Sequence, residues 1–592
     1  MAGKTKVMMA GTALVAMGLT AACGGSGGSK SNNSSSGGGS AYNAAVTGVV
    51  NPSDKKGGTL NLWSSQDADS FDTAISYYAW TINFDRLFAR TLMTYAPKPG
   101  KDGLQLVPDL AEAAPTITNS NKTYTYKLRS GLKWDDGTPI TSKDIKYGIE
   151  RTFAQDVVPG GPLYAIQELD QGQNYPGPYK DKSPDKLGLK AVQTPDDTTI
   201  VFNLTQADAN FPYMISMPIG APVPQKRDTG AKYSLSPASS GPYMFAPGGV
   251  QPGKSYSLVR NPNWSSAVDP VRKALPDKVA LTITTNANDM DSRLIAGTAD
   301  LDSGQSGVQA QARTQILQDP KLKANSDDPN TGFVRYAAMS QAVAPFNNVD
   351  CRKAVIYASD PTSLQAARGG PIAGGDIGTN MLPPNILGSD PNYDPYNRKQ
   401  GKAQIDLAKQ ELAKCGKPAG FDTKIAVRNN KPAEIATATA LQAALKAVGI
   451  NATIEQYDGS QIASVVGSPD NVHKKGYGIM IAGWGADFPT GFGFLAALAD
   501  GKFIAKNGNY NLPEINDPTI NGLFDQALAE ADPTKAGAIY AQINQKIMEG
   551  AYYLPFVFDR ALNYRNPRLT NVYEHQGLAM IDFQALGVDD GK

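Results

Sequence analysis

The chain has 592 residues, 41% of them hydrophobic and 19% charged, with 56 Lys and Arg against 55 Asp and Glu. A formal charge of +1 leaves no basic excess to neutralise a phosphate backbone, which excludes nucleic acid as a partner. Past residue 22 no apolar run approaches the roughly 20 residues that a membrane-spanning helix needs, and the length exceeds one hydrophobic core and calls for two or three domains.

Lys4 and Lys6 open the chain, Val7 to Leu19 follow without a charge, and Thr20, Ala21 and Ala22 lead to Cys23. A positive start, a short apolar core and small residues before a cut predict a signal peptide over 1–22. A cysteine just after the cut resembles a lipobox, although Leu19 sits one place earlier than that pattern prefers. Cys23 is therefore the expected lipidation site, and two acyl chains there hold a protein stably where one binds only reversibly. Gly24 to Ser40 contains only Gly and Ser apart from Lys30, Asn32 and Asn33, a composition that cannot bury enough apolar surface to fold. Residues 23–56 read as the lipidated cysteine and a disordered tether, whose 33 residues from Gly24 to Lys56 span about 30 Å as a flexible coil. The expected location is extracytoplasmic, at the outer face of the cytoplasmic membrane, with the lipid as the only membrane contact. Loss of Lys4 and Lys6 with the leader takes the mature chain to about −1.

Besides Cys23 there are only Cys351 and Cys415. An outer-face location permits a disulfide between them, and two small buried thiols are the alternative. His473 and His575 stand far apart without a Cys or carboxylate cluster at ligand spacing, so no metal site and no cofactor is expected. Nucleophile motifs occur as fragments only: Asp228-Thr229-Gly230 appears once, Ser183-x-x-Lys186 lacks its companion motifs, and Gly491-x-Gly493-x-x-Ala496 follows no clean strand. No catalytic residue is expected and the chain does not read as an enzyme.

In chain order, Thr59 to Trp63 alternates like a strand, Asn83 to Leu92 has helical spacing, and Tyr124, Tyr126 and Leu128 share one strand face. Asp135-Asp136-Gly137 is a turn. Thr141 with Asp144 predicts a capping box before a helix through Ile145 to Phe153. Lys190 to Gln193 and Thr198 to Leu204 around Pro195-Asp196-Asp197 form an expected hairpin, and Val279 to Thr284 is another strand. From Asp289 helices alternate with strands. Helices are expected over Arg293 to Ala299, Cys351 to Ser359, Asn397 to Lys414 and Ala433 to Val448, the last capped by Gly449. Strands are expected over Phe333 to Met339, Thr423 to Arg428 and Asn451 to Gln456. Pro518 to Ala531 and Pro533 to Glu549 close the helices before a strand, Tyr552 to Phe558. The alternation is that of an α/β protein.

Several blocks in order resemble the extracellular solute-binding proteins of the peptide and nickel class, family 5, which feed ABC importers. They are Leu106-Val-Pro-Asp-Leu-Ala-Glu112, Tyr124-Thr-Tyr-Lys-Leu-Arg-Ser-Gly-Leu-Lys-Trp-Asp-Asp-Gly-Thr-Pro-Ile-Thr-Ser-Lys-Asp-Ile145, Ser240-Gly-Pro-Tyr243, Arg260-Asn-Pro-Asn-Trp264, Pro345-Phe346 with Cys351-Arg-Lys-Ala354, Gly483-Trp-Gly-Ala-Asp487 and Leu554-Pro-Phe556. The resemblance implies a two-lobe clamp of the type II periplasmic-binding-protein kind with mixed sheets. Its first lobe is discontinuous, 57–284 plus 561–592, with an extra subdomain at about 100–190. The second is 285–560, and strands crossing near Thr284 and Phe558 form the hinge. A solute caught between lobes favours the closed state, which an ABC permease with its ATPase subunits then reads. The protein is expected to act as a monomer.

In the peptide-binding members the carboxylate of the last long motif pairs with the ligand's α-amino group, and Asp487 stands there. The resemblance places Ala482, Gly483, Trp484 and Gly485 beside it in the cleft, with the Ile479 to Trp484 backbone able to add a peptide as an extra strand. Without the resemblance, Asp487 before Pro489 reads as a turn cap and Trp484 as core. Ser65, Phe71, Tyr77 and Tyr78 follow the first strand, and Met339 with Ser340 ends another strand that leads into the pocket; Ser340 departs from the expected Asn. Arg335 and Arg428 are the candidates for a ligand carboxylate. Peptide capture ranks first. The same fold holding an oligosaccharide, on aromatic platforms such as Trp63, Trp80 and Trp484, or a metal chelate ranks second; a surface enzyme or cell-wall interaction protein is the remote third.

Overall fold

The computed structural model describes residues 41–590; the leader, Cys23 and the Gly/Ser run lie outside them. The folded body starts earlier than composition suggests. Ala44–Thr47 is a helical turn with Ala45 buried, Val50 bridges Val572, and Asn51 and Ser53 bond the 567–571 segment. The tether assigned through Lys56 is therefore corrected. The Gly/Ser composition stops at Ser40, and the few apolar residues after it suffice to dock 42–55 on the first lobe.

The first lobe is built on Thr59–Ser64, whose Leu60 and Leu62 turn inward while Asn61 and Trp63 face the other side. It runs parallel to Lys278–Ile283 with Leu60 opposite Val279, and parallel to Leu301–Asp302 on its other edge; Ser255–Arg260 and Tyr243–Gln251 complete five strands. Parallel neighbours require a long crossover. The one between Ser64 and Lys278 carries a four-stranded sheet in the order Thr116–Thr118, Thr123–Lys127, Thr199–Asn203, Val192–Asp196. The helix Ser142–Arg151 packs on it and opens with the expected capping box, in which the Asp144 carboxylate accepts the Thr141 N–H at 2.8 Å.

Six strands form the second lobe's sheet, in the order Asp376–Ile377, Tyr553–Arg560, Asn330–Met339, Ile479–Gly485, Asp422–Arg428, Asn451–Tyr457. Helices Val349–Ala358, Pro432–Lys446, Pro518–Ala529 and Pro533–Glu549 cover it, their apolar positions buried. Cys351 and Cys415 are bonded, tying the start of the first of these helices to the end of Ile405–Lys414.

Three expected helices move. The Asn83 to Leu92 spacing becomes the helix Ala79–Asp85 followed by tight turns, in which Phe88 and Ala89 donate back to the Asp85 carbonyl. Asn286 caps a helix that runs Ala287–Ile295, ahead of Gly297 at φ 79°. Gly401 at φ 72° breaks the 397–414 pattern, which starts as a helix only at Ile405.

The chain passes between the two sheets in two neighbouring segments. Ser326–Asp327 leads into Asn330–Met339 and pairs antiparallel with Asn563–Tyr564, which follows Tyr553–Arg560. The boundary placed at Thr284 is thus displaced by some forty residues, because Leu301–Asp302 returns to the first sheet and the helices around it pack against Leu562 and Tyr564. The crossing is dense in charge. Arg565 bonds Asp327 at 2.5 Å with both side chains buried, and Arg560 lies 3.6 Å from Asp328.

Two predictions follow from this frame. The disulfide closes a 64-residue separation, so the double substitution Cys351→Ser with Cys415→Ser is expected to cost about 4 kcal/mol by loop entropy, read as a lower midpoint in urea. At the crossing, burial pushes the Asp328 carboxyl up to about 7 against the pull of Arg560. A folded-state pKa above the unfolded value means stability that is present in acid and lost as pH rises through about 7. Melting profiles from pH 4 to 8 should show that loss, and Asp328→Asn should flatten it.

Candidate functional site

The loop after Thr59–Ser64 is pinned before it reaches the cleft. Arg151 grips Asp72 through both terminal nitrogens at 2.6 and 2.7 Å, and the Asp69 carboxylate accepts the backbone N–H groups of Tyr77 and Tyr78 at 2.5 and 2.8 Å. That leaves Tyr77 and Tyr78 exposed at the head of the helix Ala79–Asp85. Ala79, Ile82 and Arg86, spaced on one helical face, continue the same wall of the cleft.

The opposite wall comes from the end of Ile479–Gly485. Its glycines have a packing reason: a Cβ at Gly483 would meet Arg335 at 2.8 Å and one at Gly485 would meet the Phe333 ring at 2.8 Å, so the neighbouring strand's side chains lie across the bare backbone. Trp484 packs on Tyr510 with ring centroids 4.7 Å apart, and its indole N–H is buried without a partner. Beyond the strand, Thr490 caps the helix Gly491–Ala499 by accepting the Gly493 N–H, and the Asp487 N–H donates to the Gly493 carbonyl at 3.3 Å. The Asp487 carboxylate caps no turn. It accepts the Tyr77 hydroxyl at 2.5 Å and, on its other oxygen, the hydroxyl of Tyr164 from the extra subdomain. Burial raises its pKa, with the Tyr164 and Tyr77 hydroxyls working the other way. Among the described residues, no lysine, arginine or histidine forms an ion pair with it.

These walls enclose a cleft of about 530 Å³, lined on one side by the head of the helix Ala79–Asp85 and on the other by Thr331 to Phe333 and Trp484 to Asp487 of the second lobe's sheet and its following turn. Of the residues singled out in the sequence, Tyr77, Tyr78, Trp484, Gly485 and Asp487 meet there. Ala482 and Gly483 face a separate small cavity with Tyr336 and Tyr510. Phe71 is placed in the first lobe's core, among Phe84, Phe88, Phe245 and Tyr256, and Ser65 is not part of the lining. Met339 and Ser340 are fully buried and also fall outside it, because their strand end is covered by Tyr552 and Gly478, which accept their N–H groups. The backbone of Ile479 and Met480 is committed to strands on both sides, so only Ile481 to Gly485 keeps an edge unpaired by Asp422–Arg428. The proposed sugar platform is not assembled, since Trp80 is core and Trp63 lies under the Arg293 guanidinium. Arg335 and Arg428 are taken by Asp559 and Glu434.

Tyr164, Arg86, Tyr95, Asn385 and Tyr510 were not visible as site residues. Tyr164 stands 323 positions from Asp487 in sequence, and no local pattern signals such a contact. The i, i+3, i+7 spacing of Ala79, Ile82 and Arg86 was the one readable signal, and it was masked by placing the helix later.

The profile of the bacterial extracellular solute-binding proteins, family 5 Middle, matches residues 105–506. Among solved structures, the clavulanic acid biosynthesis oligopeptide binding protein 2 is similar at 42% identity and a TM-score of 0.89, over 93% of this chain and 99% of that one. The ABC transporter-associated periplasmic binding protein of Helicobacter pylori in complex with the peptide STSA has the same fold at 20% identity, with a TM-score of 0.68 over 91% of this chain and 99% of that one. The probable D,D-dipeptide-binding periplasmic protein of Escherichia coli is 24% identical over 84% of this chain and 87% of its own length. The dipeptide-binding protein of Lactococcus lactis subsp. cremoris is 25% identical over 78% and 83%.

Proposed function

This chain belongs to the bacterial extracellular solute-binding proteins of family 5, and we propose that it is the peptide-capturing subunit of an ABC importer. One observation carries the reading: Asp487 is a partly buried carboxylate in an aromatic cleft whose hydrogen bonds come from neutral hydroxyls. A negative charge drawn from water without a cation is poorly compensated. A peptide's α-ammonium supplies the missing charge, displacing or joining the Tyr77 hydroxyl, while the Ile481 to Gly485 edge offers main-chain bonds that do not read sequence. The ligand then contacts both lobes at once and draws the clamp shut. Names among the relatives, dipeptide-binding and oligopeptide-binding, agree with this chemistry.

Delivery completes the function. Lipidated at Cys23 and tethered through the Gly/Ser run, the protein stays at the outer face of the cytoplasmic membrane as a monomer and hands peptide to its permease and ATPase partners. It performs no chemistry on the ligand. A Cys23→Ala variant should appear in the culture supernatant; full retention in the membrane fraction would refute the anchor.

The amine reading is tested by titrating peptide into the purified protein. Asp487→Asn is expected to weaken binding by about 30-fold or more, the usual cost of removing one partner of a buried charge pair. The ammonium needs the ionised carboxylate, and the folded pKa of Asp487 is raised, so wild-type affinity should fall as pH drops through that pKa. The Asn variant should lose the dependence. Bound cello-oligosaccharide or nickel with no response to peptide would reject peptide capture.

A further inference from the structure

We propose that residues 41–47 form a strap over the hinge, which holds the first crossing segment at Asp327 and Asp328 and thereby favours the closed arrangement of the two lobes. The strap bonds the place where the chain passes between the sheets. The Asn43 N–H donates to the Ser326 carbonyl at 3.0 Å, and the Asn43 side-chain oxygen accepts the Asp328 N–H at 2.6 Å. Two residues on, the Ala45 N–H donates to the Asp327 carboxylate at 2.9 Å. The second crossing segment is held as well, since Arg565 reaches the Ala41 carbonyl at 3.3 Å while its Nη1 bonds Asp327 at 2.5 Å.

Local sequence explains the shape of this segment. Asn43 sits at φ 62° and ψ 20°, a left-handed conformation that Asn adopts more readily than most residues with a side chain. It precedes the helical turn Ala44–Thr47, whose Ala45 is buried in the first lobe's core, and Val50 then bridges Val572, so the strap is anchored to the first lobe. Tyr42 packs against the apolar cluster around Leu562 and Tyr564, with the Lys323 ammonium 5.1 Å from its ring centre. Ser40 precedes Ala41 directly, so the proposed tether joins the body at the hinge.

Asp328 is gripped from both sides of the hinge. Its N–H belongs to the strap, whereas its carbonyl accepts Nη1 of Arg560 at 3.2 Å and its carboxylate lies 3.6 Å from the same nitrogen. Arg560 ends the second lobe's strand Tyr553–Arg560 and is fixed there by Asp376 through Nε and Nη2 at 3.1 and 2.8 Å. One residue therefore joins a part fixed to the first lobe to a part fixed to the second. Hinge rotation is absorbed by a few backbone dihedrals, and a short hydrogen bond across them resists the turn. The lobes touch in this arrangement: the Ala209 N–H donates to the Leu528 carbonyl at 3.0 Å, and the Tyr77 hydroxyl reaches Asp487 at 2.5 Å. The strap's bonds accordingly count toward closure, and a clamp that opens by turning about Asp328 gives up one or more of them.

Two substitutions separate the hinge contact from ordinary docking. Asn43 and Asn51 are both in the left-handed region, at φ 62° and 49°, where glycine removes the side chain without backbone strain. The Asn51 side chain bonds the Pro567 and Leu569 carbonyls, both within the first lobe. Each variant of the full chain is compared with the wild type, without ligand, by backbone amide hydrogen exchange and by small-angle X-ray scattering. Asn43→Gly is expected to speed exchange across 326–330 and 560–564 about 3- to 10-fold, the ordinary worth of one hydrogen bond, and to raise the radius of gyration as open clamps become more populated. Asn51→Gly should leave both readouts unchanged. Equal exchange at the crossing in the two variants overturns the proposal, as does an unchanged radius of gyration in Asn43→Gly. Should Asn43→Gly not fold, exchange in the wild type decides: the Asp328 amide should open together with those of Asn43 and Ala45, and separate rates reject the strap. None of these readouts uses a ligand, so the outcome stands apart from the peptide reading.

Discussion

A carboxylate withdrawn from water must be held by donors, and when no cation is beside it the donors have to be brought from elsewhere in the chain. Asp487 is held by hydroxyls from two separate segments, Tyr77 of the first lobe and Tyr164 of its extra subdomain. The cleft exists in this form because three parts of the fold converge on that one side chain. The loop carrying Tyr77 is locked by Asp72 to Arg151 and by Asp69 to the backbone, so the hydroxyl is presented rather than found by chance. Tyr164 is seated edge-on to Phe488, next to Asp487, with ring centroids 5.7 Å apart.

Several other buried carboxylates are held instead by direct ion pairs. Arg90 and Arg272 share Asp109 in the first lobe's interior, Arg565 takes Asp327 at the crossing between sheets, and Arg568 bridges Asp300 to Asp590. Each of these carboxylates has a guanidinium counter-ion, the condition under which a buried charge is tolerated. Asp487 differs from these pairs in having neutral hydroxyls where they have a guanidinium, and it lines the cleft. Two paired segments connect the lobes there, so whatever bridges the walls acts on a narrow hinge rather than on a broad interface.

Where alternation or capping was strong, the fold was legible. The helix Pro533–Glu549 lies where its spacing put it, Thr141 and Asp144 form their capping box, and Gly449 ends its helix at φ 84°. Misplaced elements share a cause: Leu87, Phe88 and Leu92 are buried in turns whose spacing imitates a helix, and an Asn cap at position 286 outweighed the apolar pattern behind it. At the site, Asp487, Trp484, Gly485, Tyr77 and Tyr78 were reachable because the motif around them is local. Phe71, Met339 and Ser340 have the same local credentials but face inward, and only packing distinguishes the two cases.

By itself the sequence determined the α/β alternation, written in neighbouring residues through periodicity and capping, and, through its resemblance to the family's ordered motifs, the two-lobe class and the short stretch that ends in Asp487. The tertiary structure alone decided that residues 42–55 dock on the body, that the crossing lies at 326–330 and 560–564, that Cys351 meets Cys415, and that Tyr164 bonds the Asp487 carboxylate. The reason is the same in each case: these are contacts between segments tens to hundreds of residues apart, selected by which surfaces can be buried together and which charges must be compensated.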